Sequence, residues 1–499
     1  MTELNKLSKP PEFWDYFQEI SAIPRCSTNE ERIRAYIKEE AEKFNFPTVV
    51  DDVGNLLVDL SPETQDAKKS VILQSHFDMV CEKNESSSHD FSKDPLELKV
   101  FEKDGKKWVT ADGTSLGADN GVGLAYSLVL MNLIHQGELT FPELKIELLF
   151  TVNEEGGLVG AFQIEEDMLD TDYLINLDCM DVNTIIIGCV GGMYTNIQIK
   201  LKQNDISERK AELIPVKILV TGLLGGHSGL DIDKGRANAI KVLAKVLLEI
   251  NKKSPILLEE LEGGKNFNAI PREAKAIFYL SKEEYKNFDV ILKDIKQYLN
   301  KYYAASEDNI HIISEKVPNE EANYRAISRD LGDKIIYTLI SMPHGPLLRH
   351  ESIENLVHTS TNLASISSTR RKVKIGMLHR SFNLDFNEDT AERVETLLKL
   401  GDFNYKIKNV GGYGVWEPNF TEELLLIAKE VFKEVNNKEP EITAMHAGLE
   451  PGAFKVKRSD LQMITIGPNV EACHSPDECL QAQSVEKFWA FLITLLNRL

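Results

Sequence analysis

Residues Ile146-Glu147-Leu148-Leu149-Phe150-Thr151-Val152 run directly into Asn153-Glu154-Glu155-Gly156-Gly157. The first seven have no helical period and stop at a polar, glycine-bearing turn, which is how a strand buried on both faces reads. Two further runs share this form: residues 71–73 lead into Gln74-Ser75-His76-Phe77-Asp78, and residues 173–177 end at Asp178. Each apolar run thus delivers an acidic residue or a histidine to its carboxyl end. Open α/β sheets place their ligand crevice at that end of the strands, so the three runs predict both an architecture and a location for function.

Upstream of these strands, Ile33, Ile37, Ala41 and Phe44 recur on one helical face, and Thr28 with Glu31 forms a capping-box pattern. The alternation of elements predicts an α/β fold with a mixed, largely parallel central sheet flanked by helices. From residue 191 the chain turns rich in Lys and Glu and twice sets a strand before an amphipathic helix: 274–280 before 285–299, and 372–378 before 389–400. From residue 412 the α/β pattern returns, with a helix at 422–435, a strand at 463–466 and a last helix carrying Val485, Phe488, Trp489, Leu492 and Leu496. The expected organisation is a catalytic domain in two parts, 1–190 and 412–499, interrupted by an inserted α+β domain at 191–411. No fixed-period repeat is present, although the two strand–helix pairs are compatible with a diverged duplication.

A chain of 499 residues exceeds what one hydrophobic core supports, in keeping with two domains. With 57 Lys+Arg against 78 Asp+Glu the net charge is −21, which argues against nucleic acid as a partner. The amino-terminal stretch lacks a signal-peptide core and no apolar run is long enough to cross a bilayer, so a cytoplasmic protein without membrane attachment is expected. Cysteines at 26, 81, 179, 189, 473 and 479 form no CxxC pair, and all are expected to be reduced and mostly buried.

Five places can carry chemistry. In an extended His76-Phe77-Asp78, residues two apart project to one side, so His76 can face a metal while Asp78 orients it. The turn from Ser115 to Gly123 precedes an apolar helix; it has no Walker lysine and no GxGxxG, and Asp119 or Asn120 can alternatively be read as a helix cap. Glu154 and Glu155 at a strand exit can divide metal binding and proton transfer between them, although a solvated acidic turn is the commoner explanation for a lone Glu-Glu pair. Asp178 ends its strand, where a plain turn residue is the alternative, and His474 stands in Cys473-His474-Ser475-Pro476, which also suits a helix start. Taken together, two histidines and several carboxylates at the strand ends of one sheet suit a pair of zinc ions sharing a bridging carboxylate.

The spaced blocks SHFDMV, GADNGVG, NEEGG, INLD and HSPDE resemble those of the dinuclear zinc exopeptidases that include aminoacylases and dipeptidases. The similarity extends through HDFSKDP at 89–95, GGHSG at 225–229, NAIPREA at 268–274, HAGLE at 446–450 and IGPNVEACHSPDE at 466–478. The resemblance implies two zinc ions per chain, with cobalt or manganese as substitutes. His76 and Asp178 would bind one, Glu155 and His474 the other, and Asp119 both, followed by a cis peptide bond. It also implies Asp78 as the orienting carboxylate, Glu154 as general base, and His227 of the inserted domain as a stabiliser of the oxyanion. Asn268 and Arg380 are candidates to hold a substrate's terminal carboxylate, with a surface salt bridge as the other reading of Arg380. Glu450 is a candidate for the substrate ammonium or, alternatively, a cap. The implied activity is hydrolysis of unblocked dipeptides, Xaa-His included, with small peptides as partners and a homodimer as a possible assembly. An N-acyl amino acid deacylase or tripeptidase on the same scaffold is the nearer alternative, and a non-catalytic metal-binding scaffold the more distant one.

Overall fold

The structure, a computed structural model, describes residues 4–61 and 67–499. Its chain forms two compact units. Unit one takes the chain up to Cys189 together with Trp416–Met445 and Leu449–Leu499, and unit two takes Val190–Val415 and His446–Gly448.

Unit one is built on an eight-stranded sheet in the order Thr48–Val50, Leu56–Asp59, Leu144–Thr151, Lys69–His76, Tyr173–Asn176, Gln462–Thr465, Thr184–Cys189, Glu441–Met445. Lys69–His76 runs parallel to both Leu144–Thr151 and Tyr173–Asn176, and the latter runs parallel to Gln462–Thr465, while the first two strands pair antiparallel. The sheet is therefore mixed with a parallel centre, as the apolar runs lead one to expect. Parallel pairing forces a crossover between strands. The one between Lys69–His76 and Leu144–Thr151 includes the helix Ala118–His135, whose side chains from Val122 to Met131 are buried in the core. That burial explains the apolar run that could not span a bilayer, and among the described residues no helix is long and apolar enough to cross a membrane.

Register decides where the chemistry emerges. His76 pairs with Thr151 and Gln74 with Asn176, so the ends of three neighbouring strands lie level at one edge of the sheet.

The helix Glu31–Lys43, which follows Pro11–Ser21, begins where its apolar spacing suggests, but the capping box does not form. Thr28 has φ of 70° and donates its N–H to Glu30 Oε1 (2.9 Å), and the same oxygen accepts the N–H of Asn153 (3.0 Å). Glu30 is thus recruited to hold the Asn153 turn, a tertiary demand that overrides the local cap. The expectation for the cysteines also needs correction: Cys26 and Cys81 are joined in a disulfide, whereas Cys179, Cys189 and Cys479 are free and buried and Cys473 is free and half-buried. A partner 55 residues away leaves no local signature.

Unit two is organised around a nine-stranded sheet in which every pairing is antiparallel. The two strand–helix pairs are Ala274–Ser281 with Phe288–Tyr302 and Lys372–Ser381 with Leu384–Leu400. These helices, with Ala239–Lys253 and Arg329–Ser341, bury Ile, Leu and Val side chains in one apolar core.

Candidate functional site

Asp119 lies at the middle of the acidic cluster in unit one. Its Oδ1 is 3.0 Å from His76 Nε2 and its Oδ2 is 3.2 Å from His474 Nε2. His76 Nε2 also lies 3.9 Å from Asp178 Oδ1, and His474 Nε2 lies 2.9 Å from Glu155 Oε1. One carboxylate is therefore shared by two pairs, each consisting of a histidine and an acid. The peptide bond following it, Asp119-Asn120, is cis.

Whether these groups fit a cation can be judged from their hydrogen bonds. His76 directs Nδ1 at the carbonyl and carboxylate of Asp78 (3.1 and 3.4 Å), which leaves Nε2 facing the oxygens of Asp119 and Asp178. Glu155 Oε1 is buried beside His474 Nε2 yet has no aligned hydrogen bond. A histidine nitrogen and several carboxylate oxygens converging on one spot, with Glu155 Oε1 left unsatisfied, are arranged as ligands of a common cation. The ligand atoms of His76, Asp119 and Glu155 all fall within 4.8 Å of one another, which a single divalent ion can span.

Around this cluster the supporting contacts are specific. The Asp78 carboxylate accepts Ser27 Oγ (2.7 Å) and the backbone N–H groups of Glu154 and Glu155 (2.9 and 3.2 Å), so it orients His76 and pins the Glu154-Glu155 turn together. Asn120 does not cap its helix. Its Nδ2 donates to the carbonyl of Leu177 (2.7 Å) and to Asp178 Oδ1 (2.6 Å), which aims Asp178 at the centre. Glu450 begins the helix Glu450–Lys457 without capping it; its buried carboxylate accepts Gln74 Nε2 (2.5 Å) and Thr151 Oγ1 (2.9 Å) through Oε2, and Oε1 has no partner. Ser27 carries no pattern that would single it out in the sequence, and Asn120 stands out there only as a possible helix cap. His474, with φ of 63°, belongs to a tight turn and does not start a helix.

The electrostatics record an excess of negative charge. Burial pushes the Glu154 and Asp178 carboxyls well above the ordinary range, with neighbouring carboxylates adding to the effect and His76 opposing it. Burial brings Glu450 up to about 7. His474 is raised to about 11 by Asp119 and Glu155, while His76 is raised well above its ordinary value by Asp119 and Asp78 even though burial opposes this. Asp119 and Asp78 are lowered instead, because both accept from protonated histidines even though burial opposes this. Where some acids resist ionisation and the others ionise only against protonated histidines, positive charge is short, and divalent cations would supply it.

Unit two contains a separate cluster of the opposite character. Arg380 is buried on the strand Lys372–Ser381; Nη2 donates to Asn268 Oδ1 (3.0 Å) and Ser228 Oγ (3.1 Å), and Nη1 donates to Tyr413 Oη. Among the described residues it pairs with no carboxylate, so the surface salt bridge is set aside. His227 accepts the N–H groups of Gly229 and Leu230 at Nδ1 (3.2 and 3.1 Å), which places the proton of the neutral ring on Nε2. His446 joins Ser360 Oγ through Nε2 (2.7 Å), and burial followed by Arg380 pushes it down to about 3.

Comparison with known proteins gives a consistent assignment. A family model described as peptidase dimerisation domain matches residues 219–307, and one described as peptidase family M28 matches residues 55–209. The chain is 34% identical over 505 residues to cytosol non-specific dipeptidase of Escherichia coli (strain K12), covering 100% of this chain and 99% of that one. Aminoacylhistidine dipeptidase from Vibrio alginolyticus matches with a TM-score of 0.82 and 31% identity, covering 99% of this chain and 97% of that one. Aminopeptidase PepT from Bacillus cereus matches with a TM-score of 0.58 at 15% identity over 99% of both chains, a likeness of fold alone.

Proposed function

The chain belongs to the family of the cytosol non-specific dipeptidases, a family of metallopeptidases, and from that premise we propose that it hydrolyses unblocked dipeptides, those ending in histidine included, at a dinuclear zinc centre. The observation that carries the reading is Asp119, whose two oxygens face two different histidines at 3.0 and 3.2 Å. In this proposal His76 and Asp178 hold one cation and Glu155 and His474 the other, with cobalt or manganese able to substitute. Bound there, a cation pair supplies an acidified water and a Lewis acid for the scissile carbonyl.

The proteinaceous part of the mechanism rests on Glu154. Held in place by its backbone bond to Asp78, its carboxylate takes a proton from water and returns it to the leaving amine. Burial keeps that carboxyl basic enough to hold the proton in transit. Arg380 and Asn268 are proposed to bind the terminal carboxylate of the substrate, His227 to donate from Nε2 to the developing oxyanion, and Glu450 to receive the substrate ammonium. Residues 191–411 are read as a lid and dimerisation domain, the assembly as a homodimer, and the location as the cytoplasm.

The test is turnover of a panel containing free dipeptides, tripeptides and N-acetyl amino acids, before and after removal of metal by chelation. Hydrolysis confined to free dipeptides and lost on chelation is expected. Turnover of acylated substrates alone would replace the dipeptidase reading with that of a deacylase on the same scaffold.

A further inference from the structure

Two of the turns that carry ligands are gripped by one side chain. Arg25, 2% exposed, follows the helix Pro11–Ser21 and extends its guanidinium between the turns. Nη1 donates to the carbonyls of Phe77 and Asp78, each at 2.9 Å, and Nη2 donates to the carbonyl of Gly117. The first two carbonyls follow His76 immediately, and the third precedes Asp119 by two residues. Glu478, 1% exposed and four residues past His474, completes the grip with the opposite charge. Its carboxylate accepts the N–H groups of Leu116 (2.8 Å), Gly117 (2.9 Å) and Asp119 (3.1 Å). Gly117 is therefore held at its N–H by Glu478 and at its carbonyl by Arg25.

The glycines of this turn record the same arrangement. Gly117 has φ of 66°, and a Cβ there would lie 2.6 Å from both Arg25 Nη2 and Met79 Sδ. At Gly121 a Cβ would lie 2.8 Å from Arg25 Nη2. The glycines of this turn make room for a guanidinium.

We propose that Arg25 and Glu478 are positioning residues that set the spacing of the His76, Asp119 and His474 turns and thereby the affinity for the cation pair. Buried ions add little net stability over apolar packing, but they specify geometry when every hydrogen bond is directional, and here six bonds to the backbone define where three ligands stand. A lysine at position 25 keeps the charge but has no planar fork to span two turns. The proposal rests on reading the cluster as a cation centre.

Arg25→Lys and Glu478→Gln in the full chain are to be titrated with Zn2+ against a chromophoric chelator, and the Co2+ forms compared by visible spectroscopy. The expected result is a loss of affinity of about tenfold or more in each, a shifted Co2+ band, and activity regained at saturating metal. Parent-like affinity and an unchanged band in both would overturn the proposal. If Arg25→Lys fails to fold, the nearly isosteric Glu478→Gln decides alone. A parent chain that binds no cation would overturn the reading of the centre instead.

A different observation carries a second inference. The residues flanking Cys26 are Arg25 and Ser27, which both bind Asp78, and Cys26 itself is bonded to Cys81, three residues past Asp78. Both cysteines are half-buried, within reach of a small reductant. We infer that this disulfide is a thiol-sensitive fastener of the turn carrying Asp78. A dithiol reductant breaks the Sγ–Sγ bond, each sulfur gains an electron and a proton, and the reductant becomes its own disulfide. Zinc release into excess chelator is to be timed for the oxidised protein, for protein reduced and freed of reductant under anaerobic conditions, and for Cys26→Ser/Cys81→Ser. Release several-fold faster in the last two is expected. Equal rates in all three, or no linked Cys26–Cys81 peptide in a non-reducing digest, would overturn the inference.

Discussion

The acidic centre of unit one and the Arg380 cluster of unit two are both buried, and both carry groups far from their ordinary protonation behaviour, but in opposite senses. In unit one, burial and crowding raise Glu154, Asp178 and Glu450, and the histidines among them are raised as well. In unit two, burial lowers Arg380, His379 and His446. The first is short of cations and the second short of an anion. The sheets beneath them differ accordingly. A parallel centre brings strand ends to one edge, where loops deliver many acids to one spot, whereas antiparallel pairing sets His379, Arg380, Thr361 and Ser360 side by side within paired strands. The contrast teaches that the pairing of a sheet selects the sign of the cluster it carries: parallel strand ends gather acids from several loops, and paired antiparallel strands enclose a cation within one sheet.

The most severe way to break this comparison is Asp119→Asn. Removing the shared carboxylate should abolish retention of both cations and reduce activity to background, measured by metal analysis of the dialysed protein alongside turnover. Full metal content in this variant would dissolve the distinction between the sites. Glu154→Gln comes next, with kcat expected to fall by about 10²–10⁴-fold while metal content stays at the parent level. Arg380→Lys should sharpen the contrast: metal content unchanged, and kcat/KM down by roughly ten- to a hundredfold through weaker substrate binding, as loss of a charge-assisted hydrogen bond worth about 1.5–3 kcal/mol implies. Loss of metal from Arg380→Lys would show that its cluster is no anion site.

The smallest effect concerns stability. His379, buried between Thr361 Oγ1 (2.7 Å) and Thr195 Oγ1 (2.9 Å), is pushed by burial from 6.5 to about 4. Between those values the unfolded chain binds the extra proton and the folded chain does not, so stability rises with pH across this window. The contribution is complete above about 6.5, declines on acidification and is lost near 4, about 3 kcal/mol in all. His379→Gln should flatten this part of the pH dependence of thermal unfolding; an identical slope in parent and variant would rule the assignment out.

How far the site was legible depends on what each residue touches. His76, Glu154, Glu155 and Asp178 follow apolar runs, and a run of that kind announces both the strand and its end, so their convergence could be anticipated. Asp119 and His474 were legible as members of spaced blocks. Arg25, Ser27 and Glu478 were not, because they sit in loops without period and their partners, backbone groups for Arg25 and Glu478 and the Asp78 carboxylate for Ser27, lie about 50 to more than 300 residues away. Thr28 and Glu31 show the converse failure, a valid local signal displaced when Glu30 was drawn to Asn153. Glu450 had two readings, and burial against Gln74 and Thr151 removed the capping one.

The amino-acid sequence by itself determined the α/β class, the strand runs and the residue types at their ends, since hydrophobic periodicity and turn chemistry act over a few neighbouring residues. Tertiary structure alone decided which of those ends meet, that one carboxylate is shared by two histidines, and that a buried arginine and a disulfide hold the turns in place. Those outcomes depend on strand register and on contacts between distant segments, and neither leaves a trace within any short window of the chain.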